Sequence, residues 1–267
     1  MTRKRRLWKL AGREVVLGEK TLMAGVIELG RTADPDRVFA QALLVQEQGA
    51  GLIHLAGDLR AAGEEEELRA LVPALKRLQG KVGAPVIVST GRAAVAERAL
   101  QLGAEIVYDP WSLSLDPELG RLVSRLRAGL VLAHMRGSPE VWAKQPPVPD
   151  VMVRVRRDLE AAVLRARRVG IEPSQLGIDP GLGFGKRREE NATILARLPE
   201  FAGMHLPVMV TMPSWPQPLS PGASAAHVTA AVLGGASVVG VREVELSKLV
   251  VEASDGILEA QQAGGEE

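Results

Sequence analysis

The sequence contains no cysteine and few aromatic residues, and it opens without a long apolar run. The missing cysteines exclude disulfides, zinc sites built on thiolates and a cysteine nucleophile. Aromatic residues make up 3% and apolar residues 46% of the 267 positions. The interior must therefore be built from Ala, Val, Leu and Ile, which is typical of parallel strands and their covering helices.

The sequence also lacks an excess of charge of either sign, because the formal net charge is +1 and both signs are interspersed. We therefore expect no nucleic-acid partner, and the basic start of the chain at 2–6 is most simply a solvated tail. Lys9, Arg13 and Glu14 interrupt the apolar residues after this tail, so we expect neither a signal peptide nor a membrane span. The expected location is cytoplasmic.

Short strand-like runs alternate with longer amphipathic stretches from residue 22 onward, with a repeat of about 31 residues that matches a βαβ unit. This predicts an α/β protein, a (β/α)8 TIM barrel formed by 21–267 as a single domain. Residues 1–20 predict a β-hairpin around Ala11-Gly12 at the barrel bottom. The eight predicted strands are 22–29, 51–55, 85–90, 105–109, 130–134, 175–179, 206–211 and 237–242.

The segment Ile178–Lys186 reads IDPGLGFGK, in which a strand ends on Asp179 and a Pro-Gly turn follows. Its three glycines allow the backbone to turn tightly and to lie close to a bound molecule. A carboxylate at such a position needs donors, and a planar amidine-like edge supplies two parallel N–H groups. The alternative is that Asp179 caps the turn through backbone N–H groups. Lys186 either contacts an anionic group or is solvated.

Further candidates follow the other strands, because the functional residues of such barrels lie at the carboxyl ends of strands. These carboxylates and imidazoles could bind a divalent metal, although their spacing does not favour it. Each His could instead be a buried core residue with its hydrogen bonds satisfied. Four arginines after strands either ring the mouth for an anion or reflect the abundance of Arg. The strand-end candidates are Glu28, His54, Asp58, Ser89, Thr90, Asp109, His134, Arg136, Asp179, Lys186 and Arg242, and the four arginines are Arg31, Arg60, Arg92 and Arg136.

Four segments together resemble dihydropteroate synthases, and the resemblance extends over nearly the whole chain. They are IDPGLGFGK, AHMRGSPEVW at 133–142, LGAEIVYDPW at 102–111 and GASVVGVREV at 235–244. The resemblance implies a (β/α)8 barrel, usually a homodimer. It also implies a reaction in which a dihydropterin pyrophosphate is joined to p-aminobenzoate with loss of pyrophosphate, assisted by Mg²⁺.

The resemblance assigns roles to particular residues of this chain. Asp109 matches a family Asp and would be catalytic, and Arg242, which stands where the family's ending has a His, is a second catalytic candidate. Glu28 stands where the family has a metal-associated Asn, and Mg²⁺ is the only cofactor implied. The implied substrate-binding residues are Ser89, Tyr108, His134, Arg136, Asp179, Gly183, Phe184 and Lys186.

Several positions depart from the family pattern. Ser89 replaces a pterin-contacting Asp, Tyr108 replaces an Asn, and a segment around Trp215 replaces a pterin-binding Lys. Each lost polar donor in a closed site typically costs about 2–4 kcal/mol of transition-state stabilisation. The departures therefore predict synthase activity that is weak or lost.

Three functions are consistent with this sequence. The first is a dihydropteroate synthase-like protein that still binds a pterin-like heterocycle or a pyrophosphate ligand. The second is a non-catalytic ligand-binding or partner protein. The third is an enzyme for a different anionic substrate, in which Glu28, His54, Asp109 and Arg242 serve general acid-base chemistry. A heterocycle slot filled by Tyr108 or Trp215 would exclude the first.

Overall fold

A computed structural model describes residues 4–30, 33–60, 63–214 and 218–263, with side chains up to 261. The strands are β1 Arg6–Lys9, β2 Glu14–Leu17, β3 Leu22–Glu28, β4 Leu52–Ala56, β5 Val86–Ser89, β6 Ile106–Asp109, β7 Gly129–Ala133, β8 Leu176–Asp179, β9 Met209–Thr211 and β10 Val238–Val241. The helices are α1 Pro35–Glu47, α2 Glu64–Leu78, α3 Ala93–Gln101, α4 Pro117–Leu126, α5 Val151–Arg168, α6 Arg188–Ala196, α7 Pro221–Leu233 and α8 Val244–Ala263.

Strands β3 to β10 form one parallel sheet in the order β8-β7-β6-β5-β4-β3-β10-β9, with a helix after each strand. A single parallel bridge between Ile178 and Val208 joins the two edges of the sheet. The predicted (β/α)8 barrel is confirmed. Because all eight strands run in one direction, their carboxyl ends share one face of the barrel, and the candidate residues meet there.

The seventh barrel strand begins three residues later than the sequence predicts, at Met209 instead of Leu206. Pro207 has no N–H for the ladder, and only its carbonyl takes part, accepting a hydrogen bond from the Ile178 N–H at 3.0 Å. The remaining barrel strands lie within two residues of their predicted ends.

The predicted hairpin is also confirmed, since β1 and β2 pair antiparallel with Arg6 opposite Leu17. Trp8 and Leu17 are buried inside the barrel, where the Trp8 indole Nε1 donates to the Gln175 carbonyl oxygen at 2.8 Å. Gln175 precedes β8, so the hairpin closes the end of the barrel opposite the strand carboxyl ends. It fills the bottom of the barrel with apolar side chains and leaves the mouth open.

Two apolar layers hold the barrel together, one between the sheet and its helices and one inside the strands. The inner layer contains Ala24, Leu52, Ile87 and Ile106, which alternate along their strands with residues that face the helices. Within the described ranges, no helix combines the length and the apolar character that crossing a membrane requires.

The Trp8 side chain offers a test of the role of the hairpin. Trp8→Phe keeps an aromatic ring in the barrel but leaves the Gln175 carbonyl without this donor, so we expect a loss of about 1–3 kcal/mol in the free energy of unfolding. Chemical denaturation measures it. Leu7→Ala on the same strand is the control, because Leu7 is 39% exposed, and an equal loss in both variants would contradict a specific role for Trp8.

Candidate functional site

A cavity of about 580 Å³ opens at the carboxyl ends of the strands. This volume lies in the range of small-molecule sites, roughly 300–1,000 Å³. Its polar and aromatic lining residues within the described ranges are Glu28, His54, Asp58, Arg60, Ser89, Tyr108, Trp142, Phe184, Thr211, Ser214 and Arg242, and Gly183 also lines it.

Asp179 lies beneath this cavity, with no solvent exposure. Its Oδ2 accepts hydrogen bonds from the Tyr108 hydroxyl at 3.0 Å, the Thr211 N–H at 3.1 Å and the Thr211 hydroxyl at 2.8 Å. Its Oδ1 accepts from the Gly181 N–H at 2.7 Å. Burial raises the pKa of Asp179, and these four donors act against that rise. Internal donors therefore occupy both oxygens of the predicted pterin-reading carboxylate.

The loop after β8 is fixed against the loop after β7 by close backbone contact. Gly181 and Gly185 both have a φ of +69°, and a Cβ at either position would overlap the carbonyl oxygen of His134 or Arg136, respectively. Glycine is required at both positions because of this approach and this conformation. The glycines therefore allow the tight turns that the sequence predicts, and the backbone here lies close to the protein's own backbone.

Lys186 is 3% exposed and lies beneath the same loop. Its Nζ donates to the carbonyl oxygens of Gly181 at 2.7 Å, His134 at 2.8 Å and Phe184 at 3.3 Å. Burial lowers the pKa of this amine to about 7. The ammonium group thus joins the two loops, and its predicted contact with a substrate stays a prediction.

Tyr108 and His54 form the floor of the cavity next to Asp179. Their ring centroids lie 4.9 Å apart, and the Tyr108 ring is 1% exposed. Tyr108 does not fill the heterocycle slot completely, because the open cavity continues above its ring. Trp215, the other residue that could fill the slot, lies outside the described residues. His54 Nε2 is 2.8 Å from the Ser89 Oγ. Burial, with a smaller effect from Arg242, lowers the pKa of His54 to about 3.

Arg242 and Glu28 pair at the rim of the cavity. The Arg242 Nε and Nη2 donate to Glu28 Oε1 at 2.9 and 2.6 Å, while Nη1 donates to the Met212 carbonyl oxygen at 2.8 Å. The predicted catalytic cation and the predicted metal-binding carboxylate thus neutralise each other across the contact between β3 and β10. Their proposed roles are not tested by this pairing.

Asp109 is buried and does not line the cavity. Its Oδ1 accepts from the Trp111 N–H at 2.9 Å and its Oδ2 from the Leu113 N–H at 2.6 Å. Ser112 and Leu113 have positive φ angles of 52° and 62°, so this carboxylate holds a strained turn. Burial raises its pKa to about 6. The geometry gives Asp109 a loop-forming contact, and its predicted catalytic role stays a prediction.

Arg136 points away from the cavity and forms a buried ion pair with Glu190 at 3.0 Å. Glu190 also accepts from the Val148 N–H at 3.0 Å and the Arg187 N–H at 2.7 Å, so the pair connects the Pro-rich loop after β7 to α6. Of the four arginines considered for a ring, only Arg60 lines the cavity among the described residues. Arg92 pairs with Glu67 at 2.8 Å, and Arg31 lies outside the described residues.

His134 is buried beside the loop after β8 and lines no part of the cavity. Its Nε2 is 3.3 Å from an Asp158 carboxylate oxygen. Burial, with a smaller effect from Lys186, lowers the pKa of the ring to about 4. The neutral ring therefore donates from Nε2 to the carboxylate, as a core group does. Its predicted substrate contact stays a prediction.

The carboxylates and imidazoles considered for a metal site have separate contacts. Within the described ranges, no three His, Asp or Glu side chains gather in a geometry that could hold an ion. Glu28 is bound to Arg242, and Asp109 and Asp179 bind their own donors. The side chains present therefore do not fit a resident Mg²⁺.

Several residues of the site were not singled out from the sequence. Thr211 supplies two of the donors to Asp179, and Trp142 stacks on Phe184 with ring centroids 5.6 Å apart in the cavity wall. Thr211 ends a predicted strand, so the strand-end rule that selected Ser89 would have selected it too. Glu190 could not have been selected in this way, because it does not end a strand and its partner Arg136 lies 54 positions away in the sequence.

Comparison with known proteins assigns this chain to a family. A model of the family described as "Pterin binding enzyme" matches residues 26–249. The chain belongs to the pterin-binding enzyme family. A dihydropteroate synthase of Synechocystis is 30% identical over 232 residues, which cover 81% of this chain and 80% of that protein. One of Mycobacterium leprae is 36% identical over 187 residues, covering 68% and 66%.

Solved structures of dihydropteroate synthases agree with this assignment. The Thermus thermophilus enzyme in complex with 6HMPPP has a TM-score of 0.82 at 29% identity, covering 94% of this chain and 98% of that one. The Xanthomonas albilineans enzyme with 4-aminobenzoic acid has a TM-score of 0.80 at 28% identity, covering 97% and 99%. The resemblance predicted from the four sequence segments is confirmed.

The Arg136–Glu190 pair allows a stability prediction. Arg136→Ala leaves a buried carboxylate without its cation, so we expect a loss of about 3–5 kcal/mol in the free energy of unfolding. Urea denaturation measures the loss. Arg121→Ala is the matched control, because the Arg121–Glu118 pair is largely exposed and its removal is expected to cost less than about 1 kcal/mol. Similar values for both variants would contradict the structural role of the buried pair.

The two buried histidines predict how stability depends on pH. Their pKa values in the folded protein, about 3 for His54 and about 4 for His134, lie below the value of 6.5 for a free side chain. Below pH 6.5 these two side chains bind protons in the unfolded chain but not in the folded one, so their contribution to stability falls as the pH drops from 6.5 toward 4. Each histidine contributes up to about 1.4 kcal/mol per pH unit.

Denaturation curves at about pH 7.5, 6 and 5 measure this dependence. Asp109 and Asp179 act in the opposite direction, since burial raises both of their pKa values in the folded protein, that of Asp109 from 3.8 to about 6. The contribution of His54 is therefore isolated by His54→Gln, which removes a titrating group and should flatten the slope. An unchanged slope in this variant would contradict a neutral His54.

Proposed function

We propose that this protein binds a pterin-like flat heterocycle in the cavity at the mouth of the barrel, and that its dihydropteroate synthase turnover is weak or lost. The observation that carries the proposal is the cavity itself, which opens at the strand carboxyl ends of a barrel of the pterin-binding enzyme family. Tyr108, Phe184 and Trp142 give it aromatic walls against which a flat ring can pack.

The state of Asp179 supports weak turnover. A carboxylate has about four acceptor positions, and four hydrogen bonds to Asp179 come from the protein. Three of these four bonds are to Oδ2, so a heterocycle that binds both carboxylate oxygens must displace a donor from Oδ2, such as the hydroxyl of Tyr108 or Thr211. Binding energy spent on that displacement is no longer available for positioning the reacting atoms.

The charges at the mouth support the same conclusion. The described charged residues that line the cavity are Glu28, Asp58, Arg60 and Arg242, so the two signs are equal in number. Arg242 is moreover bound to Glu28. A pyrophosphate group would meet little net positive potential there, which weakens both its binding and the stabilisation of its departure.

The remaining expectations belong to the same proposal. We place no reaction step on Mg²⁺, because the side chains at the mouth do not fit it as a resident ion. The homodimer that the family resemblance implies and the cytoplasmic location that the sequence predicts both form part of the proposal. Light scattering of the purified protein tests the dimer.

Titration calorimetry with pterin, and with a dihydropterin pyrophosphate in the presence of Mg²⁺, tests the function. We expect heat of binding for pterin, and little release of pyrophosphate when p-aminobenzoate is added under conditions in which the Escherichia coli dihydropteroate synthase turns over. Tyr108→Phe removes one donor from Asp179 and should raise the affinity for pterin if the ring reaches that carboxylate. Absence of binding of both compounds to the wild type would contradict the proposal.

Asp179→Asn is the matched variant for this experiment. It keeps the size of the side chain and replaces one acceptor oxygen by an NH2 group, so the pterin affinity gained in Tyr108→Phe should be lost when both changes are combined. Thermal unfolding of each variant serves as the control for folding, because Asp179 connects β6, β8 and β9. Full synthase turnover in the wild type would refute the second part of the proposal.

A further inference from the structure

His54 and Ser89, on the adjacent strands β4 and β5, form a polar pair in the cavity floor. His54 is 1% exposed and Ser89 is half-buried, and both line the cavity. His54 Nε2 lies 2.8 Å from Ser89 Oγ, while His54 Nδ1 is buried and has no hydrogen-bond partner among the described residues. One hydrogen bond therefore joins the two side chains, and its direction decides what the pair offers to a ligand.

The buried Nδ1 indicates which direction this bond takes. If Ser89 donated to Nε2, the ring proton would lie on Nδ1 and leave a buried N–H donor without an acceptor. Such orphaned donors are rarer in proteins than acceptors with an unused lone pair, because a donor has only one hydrogen to satisfy. The proton thus lies on Nε2, from which His54 donates to the Ser89 oxygen.

This direction leaves the Ser89 proton free. A hydroxyl has one hydrogen, and no side chain or backbone group of the described residues accepts the one on Ser89. The hydroxyl is at the cavity surface, where a ligand can accept this hydrogen. An electron-rich group of a ligand is favoured at this point.

We propose that the Ser89 hydroxyl, oriented by His54, is a specificity-determining donor that binds a ring carbonyl of the heterocycle in the mouth cavity. This inference rests on the proposed function, since it takes the ligand to be a flat heterocycle. It assigns the recognition of that ligand to β4 and β5 of the barrel. Asp179 on β8, with its oxygens occupied, is not required for the contact.

Calorimetric titration of two related rings tests the contact. Pterin carries a carbonyl at ring position 4, and 2-aminopteridine is the same ring without that oxygen. We expect the wild type to bind pterin about tenfold more tightly than 2-aminopteridine, which is the upper range for one neutral hydrogen bond. Ser89→Ala should lower the affinity for pterin about tenfold and leave that for 2-aminopteridine unchanged.

Two further variants and one spectroscopic measurement complete the test. Ser89→Thr keeps the hydroxyl and should restore the preference for pterin, and Ser174→Ala, at the bottom of the barrel, should leave both affinities unchanged. Nitrogen NMR of the labelled imidazole should show the hydrogen of His54 on Nε2. A hydrogen on Nδ1 would overturn the inference, because the Ser89 hydroxyl would then donate to His54 Nε2 and could not donate to a ligand.

The binding results separate this inference from the proposed function. If the wild type binds both rings equally and Ser89→Ala changes neither affinity, the specificity role of Ser89 is wrong and the proposed function stands. If the wild type binds neither ring, the proposed function is contradicted and this inference fails with it. A loss of pterin binding in Ser89→Ala with no rescue by Ser89→Thr would also count against the hydroxyl as the reading group.

Discussion

The buried carboxylate of Asp179 needs donors, and the arrangement of the mouth depends on how it obtains them. Tyr108 comes from β6, Thr211 from β9 and Gly181 from the loop after β8. An ionised group without these contacts would be several kcal/mol less favourable at this depth. The carboxylate therefore connects strands on both sides of β8, close to the place where a single bridge closes the barrel. The same contacts that stabilise this closure withdraw Asp179 from the cavity.

A second constraint is that the charges near the mouth are mostly paired. Arg242 binds Glu28, Arg92 binds Glu67 and Arg136 binds Glu190. Pairs that are buried, such as the last, cost desolvation and are held by additional backbone donors. Such pairing leaves a mouth with little net charge, lined largely by apolar residues, which suits a flat uncharged ring better than a multiply charged group.

The fold could be predicted from the sequence because its signals are local and repeated. The strand-like runs and their spacing place all eight barrel strands, and only β9 starts notably late, where Pro207 interrupts the ladder. The site was harder to predict, since the contacts that decide it are not local. Asp179 appeared free for a ligand because its partners Tyr108 and Thr211 lie 71 and 32 positions away. Lys186 looked solvated or ligand-bound, whereas its nearest acceptors are carbonyl oxygens of two loops.

The close contact between the loops after β7 and β8 has a consequence for how this mouth can change. Gly181 and Gly185 lie against the backbone of His134 and Arg136, and Lys186 donates to carbonyl oxygens of both loops. Neither loop can move or take a bulkier residue at these points without displacing the other. The two loops therefore constrain each other in evolution, and a loop transplanted from a related barrel has to reproduce the backbone path that its neighbour requires.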